Sequence, residues 1–247
     1  IGAKLAEINR QGRITDRDET LLELIREFNA LSLNQIQRLL WRSATEKTAH
    51  RRTYFLEQHY LLEVARSPHA ELKKWGLLPR MVYILGTGGW MWLKNEIDVK
   101  IPRRQIRREQ ILHDLLVAEV YVKVVEAAAL RNPVPAKKKA ETGAKAEESG
   151  TEVEKWEVTW VGEEAASLYQ GDNPVVAPDG LVKVKRMAGS KTQVLPFFVE
   201  FDKGREAHGT PSTDWGRKVG GYNRFYAGNW QMHPQLNNLP DTFPRVL

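Results

Sequence analysis

The chain has 247 residues, 42% of them hydrophobic and 28% charged, which is enough apolar material for one large or two small packed domains and excludes a disordered chain. It has no cysteine, which excludes disulfides and thiolate zinc sites. It offers no run of 18 apolar residues and no signal-peptide pattern, so a cytoplasmic protein without membrane contact is expected.

The formal net charge is +6, and the excess lies in the first half: residues 1–132 hold 22 Lys and Arg against 16 Asp and Glu, while residues 133–247 hold 15 of each. A one-sided basic half predicts a polyanionic partner; the alternative is a solvated basic surface. The opening at Ile1, without Met, is expected to follow an upstream or removed segment.

In chain order, a first domain is expected over residues 13–98. Thr15-Asp16-Arg17-Asp18 opens a helix, with Thr15 as N-cap and acidic residues in the first turn. Leu21, Leu22, Leu24, Ile25 and Phe28 follow near a 3.6-residue period. Ser32 or Asn34 caps a second short helix carrying Ile36, Leu39 and Leu40. After a turn at Ser43-Ala44-Thr45 comes a third helix, Thr45 to Tyr60, with Lys47, His50, Arg51 and Arg52 in its first two turns. Two short helices joined so tightly form a helix-turn-helix, whose second helix places its N-terminal half in the major groove. Arg38 and Arg42 on the preceding helix join the expected DNA-contacting set.

Leu62–Arg66 and Met81–Leu85 read as two strands flanking a polar loop with Arg66, His69, Lys73, Lys74 and Arg80. A hairpin with a basic tip at this place is a wing, and Arg66, Lys73, Lys74 and Arg80 are expected on the DNA backbone or minor groove. Gly86-Thr87-Gly88-Gly89 reads as a turn, because the phosphate-loop pattern GxxxxGK[ST] is absent. A short helix through Trp90, Trp92 and Leu93 follows.

A second domain is expected over residues 103–247. Arg103 and Arg104, with Arg107 and Arg108, form a basic cluster that is either a phosphate contact or a solvated linker face. A long helix, Glu109 to Leu130, places Glu119 in a stripe with Leu112, Leu115, Leu116 and Val122, where a carboxylate needs a partner. His113 on it reads as a partly buried histidine that orients a neighbour. Residues 133–155 are rich in Ala, Lys and Glu without an aromatic, and read as a flexible insertion.

Strands are expected at Trp156–Val161, Leu181–Lys185 and Leu195–Asp202. Along the last, Phe197, Val199 and Phe201 face one way and Phe198, Glu200 and Asp202 the other. A final helix from Ser212-Thr213-Asp214 carries Lys218, Tyr222 and Tyr226 every four residues, with both tyrosines read as packing residues; Gly220 and Gly221 weaken it. The whole is an α+β chain, its second half an α/β or α+β unit around a central sheet.

Over residues 15–226 the chain resembles the replication-relaxation family, proteins of plasmids and other mobile elements tied to plasmid replication and DNA relaxation. The resemblance rests on Thr15-Asp16-Arg17-Asp18, the helix from His113-Asp114-Leu115 to Glu119, Trp160 with Glu163 or Glu164 after it, Pro178-Asp179, the strand Val199-Glu200-Phe201-Asp202-Lys203-Gly204, and Lys218 with Tyr222 and Tyr226. The same residues resemble the core of the PD-(D/E)XK nuclease fold, a restriction-endonuclease-like α/β domain. That likeness implies Mg²⁺ or Mn²⁺ held by Asp179, Glu200 and Asp202, with Glu119 assisting and Lys218 stabilising developing charge. Asp202 stands where that pattern has lysine, and no cofactor is implied unless the site acts.

Three functions follow. The first is a DNA-binding accessory or regulator of a mobile element, a homodimer on double-stranded DNA acting with a replication or relaxase protein. The second is a metal-dependent endonuclease. The third is a protein-interaction module. A nuclease-like scaffold kept for binding or dimerisation, with Glu200 and Asp202 paired to Lys218 or Arg217, is the structural alternative to catalysis.

Overall fold

The computed structural model describes residues 1–65, 73, 81–94, 108–132, 154–170, 173–201, 214–228, 230–237 and 243–247. The chain divides into two compact units, Ile1–Val122 and Lys123–Leu247. Both mix helices and strands, as an α+β chain should. The expected boundary at 98–103 and nearly all of the expected 133–155 insertion lie outside the described residues.

In the first unit, helix α1 (Gly2–Arg10) buries Leu5 and Ile8, three residues apart on one face, and a left-handed Gly12 follows it. Helix α2 (Asp16–Phe28) starts from a reciprocal capping box. The Thr15 backbone N–H donates to Asp18 Oδ2 at 2.7 Å, and Asp18 N–H donates back to Thr15 Oγ1 at 3.4 Å. Two otherwise orphaned donors are thereby satisfied. Leu21, Leu22, Ile25 and Phe28 form the buried face of α2; full burial of such a side chain stabilises by about 2 kcal/mol.

Strand β1 (Leu31–Ser32) leads into helix α3 (Leu33–Leu40), which opens on a second capping box between Ser32 and Gln35. Of the two caps the sequence allows, Ser32 is the one used. Helix α4 (Glu46–Gln58) follows from N-cap Thr45. Tyr60, at φ 62°, turns the chain into β2 (Leu62–Ala65), which pairs antiparallel with β3 (Val82–Leu85). β1 pairs with the other edge of β3, giving the order β1-β3-β2. Thr53 Oγ1 of α4 lies 3.0 Å from the buried Tyr83 hydroxyl and ties helix to sheet.

Helix α5 (Thr87–Lys94) begins inside the expected glycine turn. A Cβ at Gly88 would come 2.8 Å from the Tyr60 carbonyl oxygen, and one at Gly89 2.3 Å from that of Leu61. These two glycines therefore let a helix start directly against the backbone that leads into β2. Helix α6 (Arg108–Arg131) spans the division between the units, and its first part belongs to the first unit. There Ile111 and Leu115 join Ala30 and Val82 in a buried cluster.

In the second unit, β4 (Lys155–Gly162), β7 (Gly180–Ala188), β8 (Lys191–Val199) and β9 (Arg245–Val246) make a sheet in that order. It is antiparallel except for the parallel β8–β9 pair. Helix α7 (Glu163–Ala166) and a hairpin of β5 (Leu168–Gln170) and β6 (Asn173–Val176) separate β4 from β7. Asn132, at the end of α6, brackets Trp156 by accepting its N–H and donating to its carbonyl, at 2.6 and 2.9 Å.

Helix α8 (Asp214–Ala227) packs on β6. Its Gly221 answers the expectation that glycine weakens this helix: a Cβ there would meet Val175 O at 2.7 Å and Val176 Cγ2 at 2.3 Å. Ala166, Leu168, Val176, Leu181, Phe198, Tyr222, Trp230 and Leu236 form the core of the unit. The inward side of β8 is thus that of Phe198 and Glu200, as alternation requires. Among the described residues no helix is long and apolar enough to cross a membrane.

Candidate nucleic-acid interface and a buried carboxylate cluster

On α4 the burial pattern separates two faces. Ala49, Thr53 and Leu56 are buried, while Lys47, His50, Arg51 and Tyr54 are exposed. The second set is spaced i, i+3, i+4, i+7, which is one stripe of a helix. It begins in the first turn and combines a lysine, an arginine, an imidazole and an aromatic ring that is 52% exposed.

Arg52, next in sequence, turns inward. Its Nε donates to Asp18 Oδ1 at 2.7 Å, its Nη2 donates to the Arg13 carbonyl at 2.6 Å and to Asp18 Oδ2, and its guanidinium lies over the Phe55 ring. Asp18 is fully buried. Burial alone would raise its pKa, but the hydrogen bonds from Arg52 and Thr15 outweigh that and hold it below the ordinary value. The expectation of Arg52 on DNA thus meets an intramolecular clamp joining α2 to α4.

Arg38 is likewise engaged. Its Nη1 donates to both oxygens of Glu119, at 2.7 and 3.0 Å, with both side chains largely buried. Gln35 Nε2 donates to Glu119 Oε2 at 3.2 Å and to the Leu115 carbonyl at 2.8 Å. Glu119, expected as an assisting catalytic group, therefore works inside the first unit, holding α6 to α3. This pair is the partner that a carboxylate in an apolar stripe demands. Arg42 is exposed, and its Nε donates to the Arg38 carbonyl at 2.8 Å. Lys73 is exposed; Arg66, Lys74, Arg80, Arg103 and Arg104 lie outside the described residues. His113 Nδ1 lies 3.5 Å from Oδ1 of the buried Asp114.

A cleft of about 820 Å³ adjoins the α4 stripe, lined by Thr15, Asp16, Arg17, Trp41, Thr48, Arg51, Arg52 and Phe55. Arg17 lies over the Trp41 ring, 5.5 Å from its centroid.

In the second unit the structure brings together Asp179, Glu200 and Lys218. The Glu200 side chain is fully buried at the end of β8. Lys218 Nζ donates to its Oε2 at 2.6 Å and the Tyr222 hydroxyl to its Oε1 at 2.8 Å. Asp179 Oδ2 accepts the Phe201 N–H at 2.6 Å. Burial raises the Glu200 pKa; Lys218 and Tyr222 pull it back only in part, and Asp179 adds to the rise. Burial first, then the neighbouring Glu200, push the Tyr222 phenol well above its ordinary value, so it remains a donor.

The role of Tyr222 exceeds packing. The available signal was its spacing from Lys218, since residues four apart on a helix reach one acceptor. Tyr226, also expected to pack, is 61% exposed, with its ring edge-on to Phe243.

Of the expected metal ligands, Asp179 and Glu200 lie together in the second unit. Both Glu200 oxygens are taken by side-chain donors, Glu119 serves the first unit, and Asp202 lies outside the described residues. Among the described residues no three His, Asp or Glu side chains converge as a metal centre requires.

A protein-family model described as Replication-relaxation matches residues 22–240. No curated protein and no solved structure matches the chain.

Proposed function

The chain belongs to the replication-relaxation family, and from that premise we propose that it is a double-stranded-DNA-binding protein of a plasmid or other mobile element. Membership supports the setting of plasmid replication or relaxation. The first unit is read as a winged helix-turn-helix. Its elements α2, β1, α3, α4, β2 and β3, with strand order β1-β3-β2, are the parts that reading needs. The observation that carries it is the exposed α4 stripe of Lys47, His50, Arg51 and Tyr54, opposite a buried face that seats the helix.

The second unit is read as a nuclease-like scaffold kept for binding or dimerisation, with Glu200 as the centre of a structural ion network. A homodimer would set two α4 helices on a palindromic site and leave the second units to meet a replication or relaxase protein.

The test is fluorescence anisotropy with duplex DNA across a salt series. Lys47→Ala with Arg51→Ala should weaken binding by tenfold or more and lessen its salt dependence, with the circular-dichroism melt unchanged. Equal affinity of variant and parent removes the DNA-binding role of α4. Incubation of supercoiled plasmid with Mn²⁺ addresses the second unit: nicking abolished by Asp179→Asn with Glu200→Gln would overturn the scaffold reading.

A further inference from the structure

Beside the α4 stripe is a feature that groove reading by that stripe does not use. The cleft of about 820 Å³ takes one wall from residues 15–17 at the head of α2, one from Trp41 after α3, and one from Thr48, Arg51, Arg52 and Phe55 on α4. Three of its lining residues carry guanidinium groups, and their states differ. Arg52 is bound to the buried Asp18 and serves as a fixed wall. Among the described residues, Arg17 and Arg51 carry no ion pair, and Arg17 is steadied by its place over the Trp41 ring. Asp16 is the single carboxylate among the lining residues, so after the Arg52–Asp18 pair is discounted the lining keeps a positive balance.

We propose that this cleft seats one backbone phosphate of the bound duplex, held between Arg17 and Arg51, with Thr48, whose hydroxyl lies 3.3 Å from that of Thr45, on the same wall as Arg51. The inference rests on the DNA-binding reading above and adds a position to it. Arg51 belongs both to the stripe and to the cleft, so the seated phosphate flanks the base pairs that α4 reads. A phosphodiester suits the site because its single charge and two equivalent oxygens match planar guanidinium donors. A base suits it less, because the Trp41 ring is nearly buried and carries Arg17, and the Phe55 ring is covered by Arg13 and Arg52. Such a contact fixes the register of the helix on the duplex without reading sequence.

Arg17 is exposed and outside the α4 stripe, so Arg17→Ala isolates the cleft. The full chain is titrated with duplex DNA over a salt series as parent, Arg17→Ala and Arg17→Lys. The expected result is a loss of about tenfold for Arg17→Ala at moderate salt, equal on a preferred and an arbitrary duplex. The slope of log affinity against log salt should shrink by about 0.9, the share of one phosphate, and Arg17→Lys should restore it. Duplexes carrying one uncharged methylphosphonate linkage at successive positions locate the seat: at one position, parent and Arg17→Ala should bind alike. An unchanged slope for Arg17→Ala, or a deficit that no single neutral linkage cancels, overturns the phosphate seat and leaves the α4 reading standing. Failure of the parent to bind any duplex overturns both.

Discussion

Arg52 of helix α4 closes on Asp18 at the head of α2, donating from Nε to Oδ1 at 2.7 Å while the carboxylate is fully buried. Its sequence neighbour Arg51 points to solvent and has no ion pair among the described residues. Two adjacent arginines on one helix thus have unrelated duties, and substitution separates them.

Arg52→Ala should destabilise the first unit by about 2–4 kcal/mol, since it leaves a buried carboxylate with its main partner gone; partial exposure of Arg52 trims the usual cost. Arg51→Ala should change stability by less than about 0.5 kcal/mol and weaken DNA binding instead. Urea melts and anisotropy on the two variants test this. Similar melts for both would show that the clamp contributes nothing.

Asp18 and Glu200, both buried carboxylates, predict opposite responses to pH. Asp18 is held below its ordinary value near 3.8, because hydrogen bonds from Arg52 and Thr15 outweigh burial. The unfolded chain takes up that proton first, so this group's contribution is full above the ordinary value and is lost as pH falls through the native one. Glu200 is held above its ordinary value near 4.5 by burial, with Asp179 adding. Its contribution is full below 4.5 and declines as pH rises through the raised native value. Asp18→Asn should flatten the acid limb of the stability profile, and Glu200→Gln the limb above 4.5. Urea titrations at a series of pH values measure both slopes; if either variant keeps the parent's slope, its assignment is wrong.

Gly220 and Gly221 of α8 should respond with opposite signs to one substitution. A Cβ at Gly220 finds only Arg224 Nη1, at 3.7 Å, whereas one at Gly221 meets the Val175 carbonyl oxygen at 2.7 Å. Gly220→Ala should stabilise by up to about 1 kcal/mol through helix propensity. Gly221→Ala should destabilise by about 1–2 kcal/mol, the backbone clash exceeding that gain. Thermal melts of the pair decide; stabilisation by both would mean that β6 yields to α8.

What was legible in the sequence was local. The Thr15–Asp18 and Ser32–Gln35 boxes are written within four residues, and α4 and α6 keep their apolar spacing over many. Strand β1 has two residues and owes its existence to β3, some fifty positions away, so no pattern within it announces a strand. Helix α1 buries only Leu5 and Ile8 and has no side-chain cap, and nothing marked it. For the carboxylates, motif order grouped Glu119 with Asp179 and Glu200 but could not supply the partners each has within its own unit. Glu119 answers to Arg38 and Gln35 in the first, and Asp179, Glu200 and Lys218 come together in the second. Burial of Glu200, which decides what it can do, depends on Tyr222 and on neighbours that strand alternation cannot supply.

Because the two units divide between Val122 and Lys123, inside the continuous helix α6, the first unit of this chain is not an interchangeable cassette. A fragment ended at residue 98 would lose Ile111 and Leu115 from over Ala30 and Val82, and Glu119 from Arg38. The piece to graft onto another protein, or to recognise when genes recombine, therefore carries the first part of α6 with it.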